Sequence, residues 1–224
     1  MDSETSGTRS VAIEAVSSAL NWVYDKALNG VPGTDTVQEM VDSYLEGGKD
    51  AEEAIDELIN WQIGKASAAG FVSNLGGLLT LPVAIPANLG IVLFIQVRMI
   101  AAIAMIRGYD TRSDQVKTLC TACLAGSAVA DILKDVGIQI GTKLTQQAIM
   151  KIAGATLVRI NQAVGFRLVT KAGSTGIVNL GKAVPFLGGI IGGTFDAITT
   201  KAIGTAAKTV FAPKNLGAAA EAEI

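Results

Sequence analysis

The residues here with chemistry to offer are two cysteines, two arginines in the most apolar part of the chain, and two isolated aspartates; the 224-residue sequence has no histidine. Its absence removes the commonest general base and the commonest neutral metal ligand together. Cys120 and Cys123 form a Cys-Thr-Ala-Cys unit inside a helical pattern. A redox role would need a thioredoxin-like strand context and a zinc site two further ligands, and neither is visible, so both read as packing thiols. The nearest text to a phosphate loop, from Gly173 to Ala183, has the wrong spacing and no hydroxyl after Lys182. A Gly-x-Ser-x-Gly elbow is missing, and no serine and lysine stand at a spacing that would replace it. The chain therefore reads as non-enzymatic, with no cofactor and no metal site. An enzyme with a carboxylate near Asp110 or Asp196 is the weakest alternative, because Asp110 follows the helix stop Gly108-Tyr109 and suits a turn or cap.

Arg98 and Arg107 carry more information. On a helix apolar nearly all round, a guanidinium is costly unless it is paired or reaches water. Arg98 either meets an anionic lipid headgroup or pairs with an acid such as Asp110, Asp131 or Asp196, and the structural pair is the expected arrangement.

The stretch that must position these arginines is the longest apolar run in the chain. Between Lys65 and Arg98 there is no charge. The run exceeds the roughly 20 residues of one membrane-spanning helix, but Pro82 and Pro86 interrupt it. Two apolar helices joined at Leu81-Pro-Val-Ala-Ile-Pro86 follow, forming the central hairpin of a helical core or a wedge in a bilayer.

Hydrophobic residues make up 50% of the chain and mean hydropathy is +0.43, which points toward lipid. Aromatics are only 5% against 25 glycines, so the apolar mass is small and aliphatic and suits close helix contacts. The net charge of -2 hides an asymmetry: Met1 to Gly64 carries 13 acids and 3 bases, and Lys65 to Ile224 carries 7 acids and 15 bases. An acidic front thus precedes a basic, apolar body. The organisation expected is an acidic amphipathic region over 1–64, a helical domain over 65–212 and a flexible tail over 213–224. The first residues hold no basic segment followed by an apolar core, so a cytoplasmic protein, peripheral or monotopic at the inner face of a membrane, is expected.

Helical periodicity runs throughout, and no strand alternation of useful length appears. After an unstructured start over 1–9, Ile13, Val16, Leu20, Val23 and Ala27 form a helix ending at Asn29-Gly30. A second helix from Thr34 or Asp35 buries Val37, Met40, Val41 and Tyr44. A third, opened by Asp50 and Glu53, buries Ala54, Ile55, Leu58, Ile59 and Ile63. The second hairpin helix runs from about Leu89 to Arg107, and an amphipathic helix from Val116 to Val136 follows it. One or two more are expected between Gly137 and Lys171. Lys143, Lys151, Arg159, Arg167 and Lys171 spiral about them instead of forming a stripe, which argues against a nucleic-acid surface. In the last apolar segment, 182–210, Gly188 with Gly192 and Gly189 with Gly193 satisfy the small-xxx-small pattern. Asp196 and Lys201 limit how deeply that segment can enter a membrane. The fold expected is all-α, a multi-helix bundle around a glycine- and proline-broken apolar hairpin.

Gly70, Gly76-Gly77, Leu81-Pro82, Pro86, Gln96, Arg98, Ile100, Ile103-Ala104 and Gly108-Tyr109-Asp110, with the later Val184-Pro185-Phe186-Leu187-Gly188-Gly189 block, resemble the bacterial EcsC family. The resemblance covers most of Ala66 to Lys208. Family members often carry an acidic residue near the proline joint, where Val83, Ala84 and Ile85 are apolar here, so the resemblance supplies no catalytic carboxylate. It implies association with an ABC-transporter operon and no established chemistry.

These readings converge on a membrane-associated or lipid-binding helical protein whose hairpin enters a bilayer or lines an acyl-chain cavity. The candidate contacts with an anionic membrane lipid or hydrophobic ligand are Leu81, Pro82, Ile85, Pro86, Phe94, Gln96, Arg98, Pro185 and Phe186. The candidate helix-packing positions are Gly76, Gly77, Gly188, Gly189, Gly192 and Gly193. The alternative is an accessory or scaffold protein that packs on a transporter, an assembly partner or a second copy of itself.

Overall fold

The computed structural model describes residues 2–67, 87–140, 144–172 and 188–213. Among them every regular element is helical: α1 (Asp2–Asn29), α2 (Val37–Leu45), α3 (Ala51–Ser67), α4 (Ala87–Ile106), α5 (Asp114–Cys123), α6 (Val129–Asp135), α7 (Gln146–Met150), α8 (Gly154–Ala172) and α9 (Gly188–Val210). Short 3-10 turns at Glu46–Gly48 and Gly126–Ala128 join α2 to α3 and α5 to α6. The all-α expectation holds.

Helix α4 sits at the centre, with α1, α2, α3, α5 and α9 packed around it, and α8 lies outside against α1, α5 and α6. Leu93 to Ala104 is buried without interruption. That enclosure is what a helix apolar all round requires, and here protein supplies it. Among the described residues no helix is long and apolar enough to cross a membrane. Of the expected hairpin, the described helix α4 packs in the core of the bundle from Leu93 to Ala104. Its partner and the Pro82–Pro86 joint lie outside the described residues.

Local signals set the boundaries. Thr36 Oγ1 accepts from the Glu39 backbone N–H at 3.1 Å, and Glu39 Oε2 accepts from the Thr36 backbone N–H at 2.8 Å, a complete capping box for α2. The cap therefore lies one or two residues beyond the expected Thr34 or Asp35. Helix α1 begins at Asp2 rather than after residue 9: no proline interrupts the segment, and each turn added to a packed helix needs only propagation. It ends at Gly30, whose φ of +76° lets the chain reverse; a Cβ there would stand 2.8 Å from the Thr34 carbonyl oxygen. The single helix expected from Val116 to Val136 is instead α5, a 3-10 turn and α6. Gly126, at φ +61°, places the break against α9.

Candidate functional site

Arg98 stands in the middle of α4 and is only 8% exposed. Its guanidinium donates from Nη1 to the backbone carbonyl of Asp35 and to Thr34 Oγ1 at 3.4 Å, while Nη2 points at Met40 Sδ at 3.7 Å. It also lies 5.4 Å from the centroid of the Phe94 ring, one turn earlier on the same helix. The expected pairing with Asp110, Asp131 or Asp196 is therefore corrected. Arg98 holds the turn between α1 and α2, which sequence spacing on α4 cannot reveal. Burial lowers its pKa, partly offset by the negative charges of Asp35 and Glu39.

Gln96 faces another way. Its amide donates to the buried Thr200 hydroxyl at 3.3 Å, joining α4 to α9. Phe94 is wholly inside the core. The three described members of the candidate contact set thus tie the central helix to its neighbours. Beside Arg98, α2 and α3 frame an open groove of about 620 Å³ lined by Tyr44, Lys49, Glu57, Trp61 and Gln62. Trp61 is 59% exposed at its edge.

The Gly108-Tyr109-Asp110 segment links the end of α4 to α9 and to the turn before α5. Gly108 ends α4 at φ +76°. The Tyr109 hydroxyl donates to the Ala212 carbonyl at 2.9 Å, and its ring meets Phe211 edge-on at 5.2 Å, fastening the end of α9 to the end of α4. Asp110 accepts from the Arg112 N–H at 2.9 Å and its carbonyl from the Ser113 hydroxyl at 2.8 Å, as a turn residue does. Tyr24 on α1 donates to the Thr111 carbonyl at 2.8 Å. Cys120 and Cys123 are free thiols, fully buried in the core. Among the described residues no cluster of three or more metal-ligating side chains is assembled.

A feature missed by spacing alone lies on α7 and α8. From Val136 to Phe195 the chain has six bases and no acid. On α8, Ile160 and Val164 turn inward. By the 100° step, Ala155, Val158, Arg159, Gln162 and Phe166 share the outward stripe. All five are exposed, as are Arg167 and, at the end of α7, Met150 and Lys151. Val158 is 55% exposed, Met150 45% and Phe166 39%, so three large apolar side chains face outward on these two helices. The acid-free interval was the signal available in the sequence, because it makes every charge on this face positive.

Leu81, Pro82, Ile85, Pro86, Pro185, Phe186, Gly76 and Gly77 lie outside the described residues. Gly188, Gly189, Gly192 and Gly193 fall in the first turns of α9.

The EcsC protein family model matches residues 5–214, and the chain belongs to that family. No curated protein and no solved structure matches it.

Proposed function

We propose that this EcsC-family chain is a non-enzymatic protein that docks peripherally on an anionic lipid surface through the outward face of α7 and α8. The observation that carries this reading is the coincidence of exposed Met150, Val158 and Phe166 with Lys151, Arg159 and Arg167 in a segment free of acids. Apolar tips enter the headgroup boundary and bases meet the negative surface potential, each base contributing about 1 kcal/mol close to the membrane. The acidic residues of α2 and α3 stand on other elements. Helices α1, α5 and α6 carry α8, and α5 carries α7.

Co-sedimentation with phosphatidylglycerol and phosphatidylcholine vesicles tests the proposal. The protein is expected on the anionic vesicles and in the supernatant with the neutral ones. Salt should weaken the binding without abolishing it, because the apolar term is not screened. Equal recovery in the supernatant from both would remove the idea.

A second reading, docking on a protein partner, draws on Trp61 and on Ile198, which is 71% exposed. It predicts that substituting Trp61 changes recovery with membranes from cells but not with protein-free vesicles.

A further inference from the structure

We infer that a second groove, bounded by α3, α9 and the end of α4, binds a phosphate-type oxyanion. It is distinct from the α7–α8 face and independent of the lipid reading. The groove measures about 610 Å³ and is lined by Glu52, Asp56, Arg107, Lys201 and Lys208, among others. It has room for a phosphate ester as well as the bare ion.

Arg107 sets its chemistry. The residue is only 6% exposed, and its Nη2 is paired with Glu52 Oε1. Its Nε and Nη1 atoms are shut off from bulk water and have no hydrogen-bond partner among the described residues. Buried charged donors left without acceptors are costly, and native structures rarely tolerate them without a reason. The Nη2 edge, which the half-exposed Glu52 carboxylate now engages, is the part of the guanidinium that a phosphate or carboxylate oxygen can take over.

The surrounding charges favour the same ligand. Lys208 lies 2.6 Å from Asp56 and 3.4 Å from Glu52, so the two acids are already engaged. Lys201 also lines the groove and has no carboxylate within ion-pair distance among the described residues. Three bases therefore stand against two acids. The Thr205 and Thr209 hydroxyls donate to carbonyls one turn back at 3.0 and 2.9 Å, so recognition rests on the cations. Glu52 is the replaceable partner: its side chain is 48% exposed where that of Arg107 is 4% exposed. An incoming oxyanion displaces it outward and takes its place on the guanidinium. The oxyanion can belong to a free phosphate compound or to a lipid headgroup, and the chemistry of capture is the same.

Titration calorimetry with inorganic pyrophosphate at fixed ionic strength reads the free-anion source, and co-sedimentation with phosphatidylglycerol vesicles reads the headgroup source. Wild type, Lys201→Ala and Glu52→Gln are compared in both. Lys201 is exposed on α9, and because Glu52 pairs with the buried Arg107, Glu52→Gln is compared at a temperature where its circular dichroism spectrum matches that of wild type. Lys201→Ala should weaken binding by about tenfold, as loss of one charge-assisted contact does. Glu52→Gln should tighten it, because the competing carboxylate is gone. That order with pyrophosphate assigns a free phosphate ligand; the same order on vesicles alone assigns the headgroup. Lys151→Glu with Arg159→Glu should leave pyrophosphate binding intact, which separates the groove from the α7–α8 face. Absence of binding in both arms, or equal binding by all three proteins, overturns the inference.

Discussion

Arg98 on α4 donates a hydrogen bond to the backbone carbonyl of Asp35, 63 residues earlier in the chain. The central helix thereby fixes the turn that starts α2, and the charge serves a carbonyl where a carboxylate was expected. Replacing Arg98 by methionine keeps much of the volume and leaves that carbonyl without its donor. A loss of about 1 to 3 kcal/mol is expected, the range for a hydrogen bond from a charged donor at a partly buried site. Urea unfolding measures it. A variant as stable as wild type would mean that the contact contributes nothing to the fold.

Gly204 lets α9 pack tightly against Ile59 of α3. A Cβ there would lie 3.0 Å from both Cδ1 and Cγ1 of Ile59 and 3.2 Å from Cγ2. Two of those atoms are rooted on a stiff β-branched centre and cannot swing aside. Gly204→Ala should therefore destabilise by about 1 to 3 kcal/mol through overpacking, against the gain of about 1 kcal/mol that alanine brings to a helix. In an Ile59→Ala background the clash is absent and the same change should stabilise. Thermal denaturation of the four proteins in this cycle decides; additive effects would remove the close contact as the cause.

Burial pushes the Cys120 thiol up to about 12 and that of Cys123 well above the ordinary value of about 9. Burial raises the Tyr24 hydroxyl as well. The folded chain keeps these groups protonated at pH values where the unfolded chain releases them. Their contribution to stability is complete below about pH 9 and is lost as pH rises toward 12. Unfolding midpoints should fall across that window. At pH 8 an aromatic disulfide reagent should leave both thiols unmodified in the native protein and titrate both in urea. Fast labelling of the native state would contradict the burial.

Much of the fold was legible because its signals are local. The Leu93–Ala104 run required enclosure on every side, and the structure encloses it. Gly30 and Gly108 stop α1 and α4 where the sequence placed the stops. The partners of buried polar groups were not legible. Arg98 meets Asp35, Gln96 meets Thr200 and Tyr109 meets Ala212, across separations of 63, 104 and 103 residues. Such pairings depend on how helices cross, which periodicity does not encode. The break at Gly126 was also missed, because a glycine within a helical pattern is tolerated as often as it ends one. The bases near α8 spiral on a straight helix, as the spacing indicated. Only the tertiary packing reveals that Ile160 and Val164 take the inner side and leave Arg159 and Val158 outside.

The most direct test of the docking proposal compares wild type with a Lys151→Glu, Arg159→Glu double variant on phosphatidylglycerol vesicles. Both residues are exposed, so the reversal leaves the core untouched. Each base near an anionic surface contributes about 1 kcal/mol, and reversing two should weaken the vesicle partition coefficient by at least tenfold, or about 1.4 kcal/mol. The account predicts that loss with an unchanged circular dichroism spectrum and melting midpoint. A double variant that is folded and partitions as strongly as wild type would contradict it.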